Sequence, residues 1–307
     1  MTLRLRGLVA ATHSPFDADG RLNLAAVEKQ AKRLLLDGVT AAFVAGSTGE
    51  SHSLSVEERL ALTRRWGEVV RGSALQLVVH VGSNCLADAR TLAAGAQADG
   101  AAAIAALAPS HFKPRSLDVL IDWCAEIASA APGLPFYLYD IPALTGVTLS
   151  SPDFLAMAPE RIPTLAGIKF SNPDLAAYQR CLHADDGRFD IPWGFDEYLL
   201  AALAVGGVGA VGSTYNFAAP IYHRMMAAVA NGDLATARME QYRSVQLIEL
   251  CYRFGFLAGT KAVMGFAGVE VGPARLPATN LTAEQSSQLR GELERLGFFE
   301  WIQAESP

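Results

Sequence analysis

The segment AGIKFSNPD, residues 166–174, places a lysine where lysine is costly. Lys169 lies inside an apolar, strand-like run and just before a turn signal, so its ammonium group must give up much of its hydration. A primary amine, unlike a guanidinium, can lose its proton and attack a carbonyl carbon. Lys169 is therefore a candidate nucleophile. The alternative is a lysine that pairs with a carboxylate or extends to solvent. Lysine is also scarce, because the chain has only Lys29, Lys32, Lys113, Lys169 and Lys261 beside many more arginines.

Two further segments carry groups that could act beside Lys169. Tyr139 ends another apolar run, and its phenol could move a proton if its hydroxyl reaches the reacting oxygen. Residues 46–49 (GSTG) combine two small hydroxyls with closely spaced backbone N–H groups, which suits the binding of a small carboxylate. The alternatives are a half-buried core aromatic and an ordinary Gly/Ser turn. Each signal is weak alone, and their joint occurrence carries the inference.

The elements that would hold these groups alternate between strand and helix. Apolar runs without clean polar alternation indicate strands that are buried on both faces, as in parallel sheets. Eight such runs, each followed by a helix-like segment, favour a closed (β/α)8 barrel over an open sheet. The predicted strands are residues 5–11, 41–46, 75–82, 101–109, 134–142, 164–170, 188–194 and 208–213.

The chain is predicted to have two parts. Residues 1–232 form the α/β barrel with the candidate site, because functional side chains in such barrels come from the carboxyl ends of the strands. Residues 233–307 contain helix-like stretches around 233–252 and 283–297, with no strand between them. This second part is predicted to be a C-terminal helical extension packed on the barrel.

Composition argues against several classes of function. The 307 residues carry a formal net charge of −6, so no broad basic field is available to bind nucleic acid. The sequence contains no run of about 20 apolar residues, so no membrane span is predicted. The four cysteines show no CxxC spacing, so neither a zinc site nor a disulfide framework is indicated. We therefore expect a soluble, cytoplasmic protein that binds neither nucleic acid nor a zinc ion.

The segment GVGAVG, residues 207–212, matches the GxGxxG pattern of dinucleotide-binding loops. That pattern should follow a strand and begin a helix. Here a helix-like segment precedes the glycines, and the glycines lie within the apolar run itself. We interpret the segment as a strand.

Five motifs along the chain occur in an order typical of one family. GSTGE, YDIPALTG, GIKFS, GFDE and GAVGSTYN together closely resemble the N-acetylneuraminate lyase branch of the dihydrodipicolinate synthase-like aldolases. The resemblance extends from about residue 6 to GPARLP, residues 272–277. It implies a (β/α)8 barrel, a homotetramer and a lysine that forms a Schiff base, with no metal or organic cofactor. The implied reaction is cleavage of sialic acid to N-acetylmannosamine and pyruvate.

The resemblance also implies roles for individual residues. Lys169 would form the Schiff base, and Tyr139 would move the proton. Ser47 and Thr48 would hold the substrate carboxylate. The alternative for the aspartate of GFDE is the N-cap of the following helix, because aspartate is a favoured capping residue. The residues that the resemblance places against the sugar are Ser171, Gly194, Asp196, Glu197 and Ser213.

Residue 144 separates the branches of this family. Dihydrodipicolinate synthases have an arginine in the motif YNxPxRTG that binds a second carboxylate, whereas this chain has Leu144 there. Two alternatives stay open. One is another pyruvate aldolase or synthase of the family, such as a 2-keto-3-deoxy sugar acid aldolase, and the other is a non-catalytic barrel that binds a keto acid. His111 and Phe112 occupy positions near the place where synthases have a tyrosine that they lend to a neighbouring subunit. The alternative for His111 is a plain surface loop residue.

Overall fold

The computed structural model describes residues 4–303 and contains one curved sheet of seven parallel strands. The strands are joined in the order β6-β5-β4-β3-β2-β1-β7, and every neighbouring pair is parallel. They are β1 (Gly7–Ala11), β2 (Ala41–Val44), β3 (Gln76–His80), β4 (Ala103–Leu107), β5 (Phe136–Asp140), β6 (Leu165–Phe170) and β7 (Gly209–Gly212). The GxGxxG segment is therefore mostly strand, as interpreted.

Helices follow the strands in alternation. For example, the helix between β2 and β3 begins at a capping box, in which each of Ser55 and Glu58 accepts a hydrogen bond from the backbone N–H group of the other. In the described part of the chain, no helix is both long and apolar enough to cross a membrane. The helices are α1 (Ala26–Leu36), α2 (Val56–Val70), α3 (Leu86–Ala98), α4 (Leu117–Ser129), α5 (Pro142–Thr145), α6 (Ser151–Met157), α7 (Leu175–His183), α8 (Leu199–Ala204), α9 (Ala219–Ala230), α10 (Leu234–Arg253), α11 (Phe256–Phe266), α12 (Ala283–Leu296) and α13 (Phe298–Trp301).

The seventh predicted strand, residues 188–194, is not a regular strand. Pro192 has no N–H group to donate, so a continuous ladder cannot form through this segment. Its carbonyl still accepts a hydrogen bond from the Phe170 N–H group at 2.9 Å. The segment lies between β6 and β7, closing the sheet into the predicted (β/α)8 barrel with one irregular member. Its single bridges are Gly167–Asp190, Phe170–Trp193 and Trp193–Ala210.

Side chains at alternate positions of the strands pack into two separate cores. In β1, Leu8 and Ala10 pack into the large core between strands and helices, whereas Val9 and Ala11 pack into a smaller core inside the barrel. The inner core also contains Tyr139 of β5. This alternation determines which side chains can reach the barrel interior.

The C-terminal helices share the core of the barrel. Leu247 of α10, Val263 of α11 and Leu289 of α12 belong to the same buried cluster as the outward-facing strand residues. The predicted helical extension is therefore present and packed on the barrel, while the boundary at residue 232 stays a prediction. The sequence pattern did not indicate α11, whose segment FLAGTKAVMGF is apolar over most of its length.

Candidate active site

A cavity of about 310 Å³ opens at the carboxyl ends of the strands. Its lining comes from the ends of β2, β5, β6 and β7, from the segment 188–194 and from the C-terminal helices. The structure therefore brings the sequence-predicted residues together in one place. Those residues, all of which line the cavity, are Ser47, Thr48, Tyr139, Lys169, Ser171, Gly194, Asp196, Glu197 and Ser213.

Lys169 is buried in this cavity, with 3% of its surface exposed. The register of β5 and β6 pairs it directly with Tyr139. Its Nζ atom lies 3.8 Å from the centroid of the Tyr139 ring and 3.9 Å from that of Phe43. Burial lowers the pKa of Lys169, and the opposing effects of Tyr139 and Asp196 are smaller. A lowered pKa increases the fraction of neutral amine, which is the nucleophilic form.

Tyr139 is fixed from two sides. Its hydroxyl lies 3.3 Å from Ser47 Oγ, within hydrogen-bond distance. Its ring packs edge-on against the rings of Phe43 and His80, with centroids 5.7 and 5.8 Å away. His80 is itself buried, and its Nδ1 atom lies 2.9 Å from the carbonyl oxygen of Ala45. The phenol is therefore held beside the amine, with a second hydroxyl in reach for proton transfer.

Two other hydroxyl groups join the loops at the rim. Thr48 Oγ1 lies 2.6 Å from Ser213 Oγ, linking the loop after β2 to the loop after β7. Ser171, directly after β6, is buried, and its Oγ lies 3.5 Å from the carbonyl oxygen of Gly194. These groups are placed to bond a polar ligand in the cavity.

The GSTGE loop (residues 46–50) is held by the C-terminal extension. Its last residue, Glu50, is buried in a left-handed conformation with φ of 57°. The carboxylate lies 2.7 Å from the Nζ atom of Lys261 in α11, and it accepts a hydrogen bond from the backbone N–H of Arg275 at 2.8 Å. Both side chains of the ion pair are 2% exposed. The loop that carries Ser47 and Thr48 is therefore anchored by a fully buried charge pair.

Asp196 does not cap the following helix, so that alternative is wrong. The residue at the N-cap of the turn Asp196–Tyr198 is Phe195, and no side chain caps it. The buried Asp196 carboxylate instead accepts hydrogen bonds from Thr214, from the N–H group at 2.9 Å and from Oγ1 at 2.5 Å. These hydrogen bonds connect the end of the segment 188–194 to the end of β7. The local helix-cap pattern could not indicate a partner 18 residues away.

Two glycines make room for these polar groups. A Cβ atom at Gly212 would lie 1.8 Å from Asp196 Oδ1, and one at Gly194 would lie 1.9 Å from Ser171 Oγ. Contacts this short do not occur between non-bonded atoms, so any side chain would displace the polar group. The glycines of the motifs GFDE and GAVGSTYN thus allow the close approach of Asp196 and Ser171.

Glu197 lines the cavity next to Asp196 and is half-buried. Burial raises the pKa of Glu197 to about 7, and the neighbouring charge of Asp196 adds to this effect. The pKa of Tyr252 is also raised, first by burial and then by the charges of Glu197 and Asp196. Glu197 is therefore a carboxyl group whose charge changes near neutral pH.

Sequence reasoning missed an apolar wall of the cavity. It consists of Ile248, Tyr252, Phe256 and Leu257 from α10 and α11. The rings of Tyr252 and Phe256 stack with centroids 4.7 Å apart and planes at 29°. Apart from the phenol of Tyr252, these side chains are hydrocarbon, and none of them belongs to a motif. The only available signal was the pair of aromatic residues on either side of a predicted helix end, in the segment CYRFGF.

No metal site is apparent between residues 4 and 303, where no group of three or more His, Cys, Asp or Glu side chains could hold an ion. His111 and Phe112 do not line the cavity. The ring of His111 packs edge-on against Phe112, which is 86% exposed.

Comparison with known proteins agrees with this geometry. A model of the dihydrodipicolinate synthetase family matches residues 4–296. The chain belongs to this family. It is 40% identical to N-acetylneuraminate lyase of Gallus gallus over 297 residues, which cover 95% of this chain and 96% of the relative. It is 42% identical to N-acetylneuraminate lyase A of Xenopus laevis over 277 residues, covering 89% and 90%.

A solved structure has the same fold as this chain. The structure of Proteus mirabilis N-acetylneuraminate lyase matches with a TM-score of 0.94 and 38% identity, covering 96% of this chain and all of that one (100%). The family resemblance that the five sequence motifs indicated is confirmed. Leu144, at the position that distinguishes branches of the family, lies at the edge of the cavity and is 60% exposed.

Proposed function

We propose that this protein is a class I aldolase, a carbon–carbon lyase that cleaves N-acetylneuraminate to N-acetylmannosamine and pyruvate. The observation that carries the proposal is the buried amine of Lys169 beside Tyr139, within a cavity that has hydroxyl and carboxylate groups on its rim. Family membership and the names of the relatives support the choice of substrate.

The reaction begins with attack of neutral Lys169 on the C2 ketone of the open-chain sugar acid. Loss of one water molecule gives a protonated imine, which withdraws electrons from the C3–C4 bond. Burial favours this step because it lowers the pKa of Lys169. Ser47 and Thr48 bind the carboxylate at C1, which fixes the ketone next to the amine.

Bond cleavage follows from removal of the proton on the C4 hydroxyl. Tyr139 mediates this transfer, with Ser47 in the same hydrogen-bonded chain. The electrons of the C3–C4 bond move into the imine, so that N-acetylmannosamine leaves as its open-chain aldehyde. Protonation of the remaining enamine at C3 and hydrolysis by water release pyruvate and restore the amine of Lys169.

The polar tail of the sugar lies against the other residues of the cavity. Asp196 and Glu197 accept hydrogen bonds from its hydroxyl groups, and Ser171 and Ser213 are further hydrogen-bond partners. Gly194 has no side chain and so leaves space for the Ser171 hydroxyl. The residues that line the cavity support this assignment.

A direct assay tests the proposed function. Purified protein is given N-acetylneuraminate, 2-keto-3-deoxygluconate, or pyruvate with aspartate semialdehyde, and product formation is compared. We expect cleavage of N-acetylneuraminate to have the highest kcat/KM. Faster cleavage of 2-keto-3-deoxygluconate would instead indicate a sugar acid aldolase of the same scaffold. Turnover of none of the three substrates would favour a keto acid-binding barrel without this activity.

The side chain at position 144 gives a prediction on the choice between branches. Because Leu144 cannot bind a carboxylate, condensation of pyruvate with aspartate semialdehyde should be negligible. The variant Leu144→Arg should lower kcat/KM for N-acetylneuraminate by roughly tenfold or more, since it places an uncompensated charge near the sugar. Leu144→Met is the matched control, because it keeps an apolar side chain of similar volume. Substantial condensation by the unmodified protein would contradict the prediction.

The raised pKa of Glu197 predicts a pH dependence of sugar binding. The carboxyl group is ionised above a pH of about 7 and neutral below it. Hydrogen bonds to a charged acceptor are stronger than those to a neutral one, so kcat/KM for N-acetylneuraminate should fall roughly tenfold as the pH is lowered through this value. Glu197→Gln should lack this step and have the lower value throughout.

The neutralisation of Lys169 also depends on pH, and trapping of its pyruvate imine with borohydride reports that titration separately. The pH profile of trapping should be the same in Glu197→Gln and in the unmodified protein. If the profile of kcat/KM for N-acetylneuraminate is also the same in both proteins, Glu197 does not bind the sugar.

We further propose a homotetramer in the cytoplasm, as the family resemblance implies. Three cysteines, Cys124, Cys181 and Cys251, are buried as free thiols, which supports a reducing compartment. Large apolar side chains on the surface support an assembly, which analytical ultracentrifugation can test. The most exposed of them are Phe112, Leu276 and Leu36.

A further inference from the structure

Behind the cavity, the Asp196 carboxylate continues into a chain of buried hydroxyl groups. Thr214 Oγ1, which lies 2.5 Å from Asp196 Oδ2, also lies 2.6 Å from the hydroxyl of Tyr222. The Tyr222 hydroxyl lies 2.8 Å from Ser244 Oγ. Thr214, Tyr222 and Ser244 are each 0% exposed. Three elements therefore contribute to one buried network: the loop after β7, α9 and α10.

The direction of the hydrogen bonds follows from the carboxylate. An ionised carboxylate can only accept, so the hydroxyl of Thr214 donates to Asp196. Thr214 Oγ1 must then accept from the Tyr222 hydroxyl. The one hydroxyl proton of Ser244 is shared between the Tyr222 oxygen, 2.8 Å away, and the carbonyl oxygen of Asp196. Donors aligned in one direction polarise one another and stabilise the negative charge at the end of the chain.

Residues of α10 also hold the backbone of Asp196. Its carbonyl oxygen accepts a hydrogen bond from Gln241 Nε2 at 3.2 Å, and Ser244 Oγ also lies 3.2 Å from it. Gly212 bounds the other side of the carboxylate, since a Cβ atom there would lie 1.8 Å from Oδ1. Apart from Gly212, the residues that fix Asp196 at its carboxylate and at its main chain do not line the cavity.

We propose that Thr214, Tyr222 and Ser244 are positioning residues that act through Asp196 and set the affinity of the cavity for the polar tail of the sugar acid. The inference rests on the proposed function, in which Asp196 contacts that tail. It assigns to α9 and α10 a role beyond packing, because Tyr222 lies on α9 and Ser244 on α10.

The test compares two buried tyrosines. Tyr222→Phe removes the central hydroxyl of the network. Tyr178→Phe removes a hydroxyl of equal burial that bonds the carbonyl oxygen of Ile191 at 3.1 Å and has no part in the network. We expect Tyr222→Phe to raise KM for the sugar acid about three- to tenfold and to leave the rate of pyruvate imine trapping within about twofold. Tyr178→Phe should change neither quantity by more than about twofold.

Thr214 gives a second pair of variants. Thr214→Val removes the hydroxyl and should raise KM at least as much as Tyr222→Phe, whereas Thr214→Ser keeps the hydroxyl and should retain most of the affinity. In an Asp196→Asn background, Tyr222→Phe should have little further effect, because its action passes through the carboxylate.

The outcomes separate the two proposals. If the unmodified protein cleaves a different sugar acid, the proposed function is wrong, and the same variants are measured on the acid that it does cleave. If Tyr222→Phe and Tyr178→Phe have equal effects, or if Tyr222→Phe keeps its full effect beside Asp196→Asn, the positioning network is wrong. Equal losses in KM and in imine trapping would also overturn it, since they indicate a general structural role.

Discussion

Treatment with pyruvate and borohydride is expected to attach a stable adduct to Lys169, and the variant Lys169→Arg is expected to carry none. Arginine keeps the positive charge, but it does not lose its proton and forms no imine. Cleavage of N-acetylneuraminate should fall by on the order of 10⁴-fold or more, because the covalent step is lost. Intact-mass measurement and peptide mapping detect the adduct and its position.

Lys113 provides the matched control for this experiment. It is exposed, so Lys113→Arg should keep both the adduct and the activity. Thermal unfolding of both variants shows whether any loss arises from misfolding. An adduct on Lys113 or Lys261 in place of Lys169 would contradict the proposal that Lys169 forms the imine.

The second large effect concerns stability. Lys261→Met is expected to lower the free energy of unfolding by about 3–5 kcal/mol, because it leaves Glu50 as a buried charge without its partner. Chemical denaturation at neutral pH measures this change. The GSTGE loop (residues 46–50) should lose its anchor at the same time, so KM for N-acetylneuraminate should rise.

The double variant Glu50→Gln/Lys261→Met separates the charge pair from other packing effects. It removes both charges, and buried ion pairs can often be replaced by neutral groups at little cost. We therefore expect it to be more stable than Lys261→Met alone. A double variant less stable than Lys261→Met would show that packing or the hydrogen bond to the backbone of Arg275 dominates, and not the charge pair.

Much of the fold was predictable because the strands are buried on both faces. Continuous apolar runs mark such strands clearly, and all of them except residues 188–194 are regular. The exception contains Pro192, whose lost N–H group was visible in the sequence. Its neighbours compensate through single bridges, and this pairing depends on tertiary contacts that a local pattern does not contain.

The site was predictable where polar residues interrupt apolar runs at strand ends. Lys169, Tyr139 and the hydroxyls at residues 47 and 48 all have this signature, and all line the cavity. The partner of Asp196 was not predictable, because Thr214 is distant along the chain and the cap pattern is local. The wall that includes Tyr252 was missed for a similar reason, since apolar side chains on a helix normally indicate core packing.

The divided origin of the cavity has a consequence for how such a protein can diverge. The proposed nucleophilic amine and the proposed proton-transferring phenol belong to strands of the barrel, whereas the wall of Ile248, Tyr252, Phe256 and Leu257 belongs to the C-terminal helices. Substitutions in that wall can accumulate without touching the covalent chemistry, so selection can exchange one sugar acid for another while the imine step is inherited unchanged. A single duplicated gene could in this way supply a set of pyruvate aldolases that differ mainly in two helices.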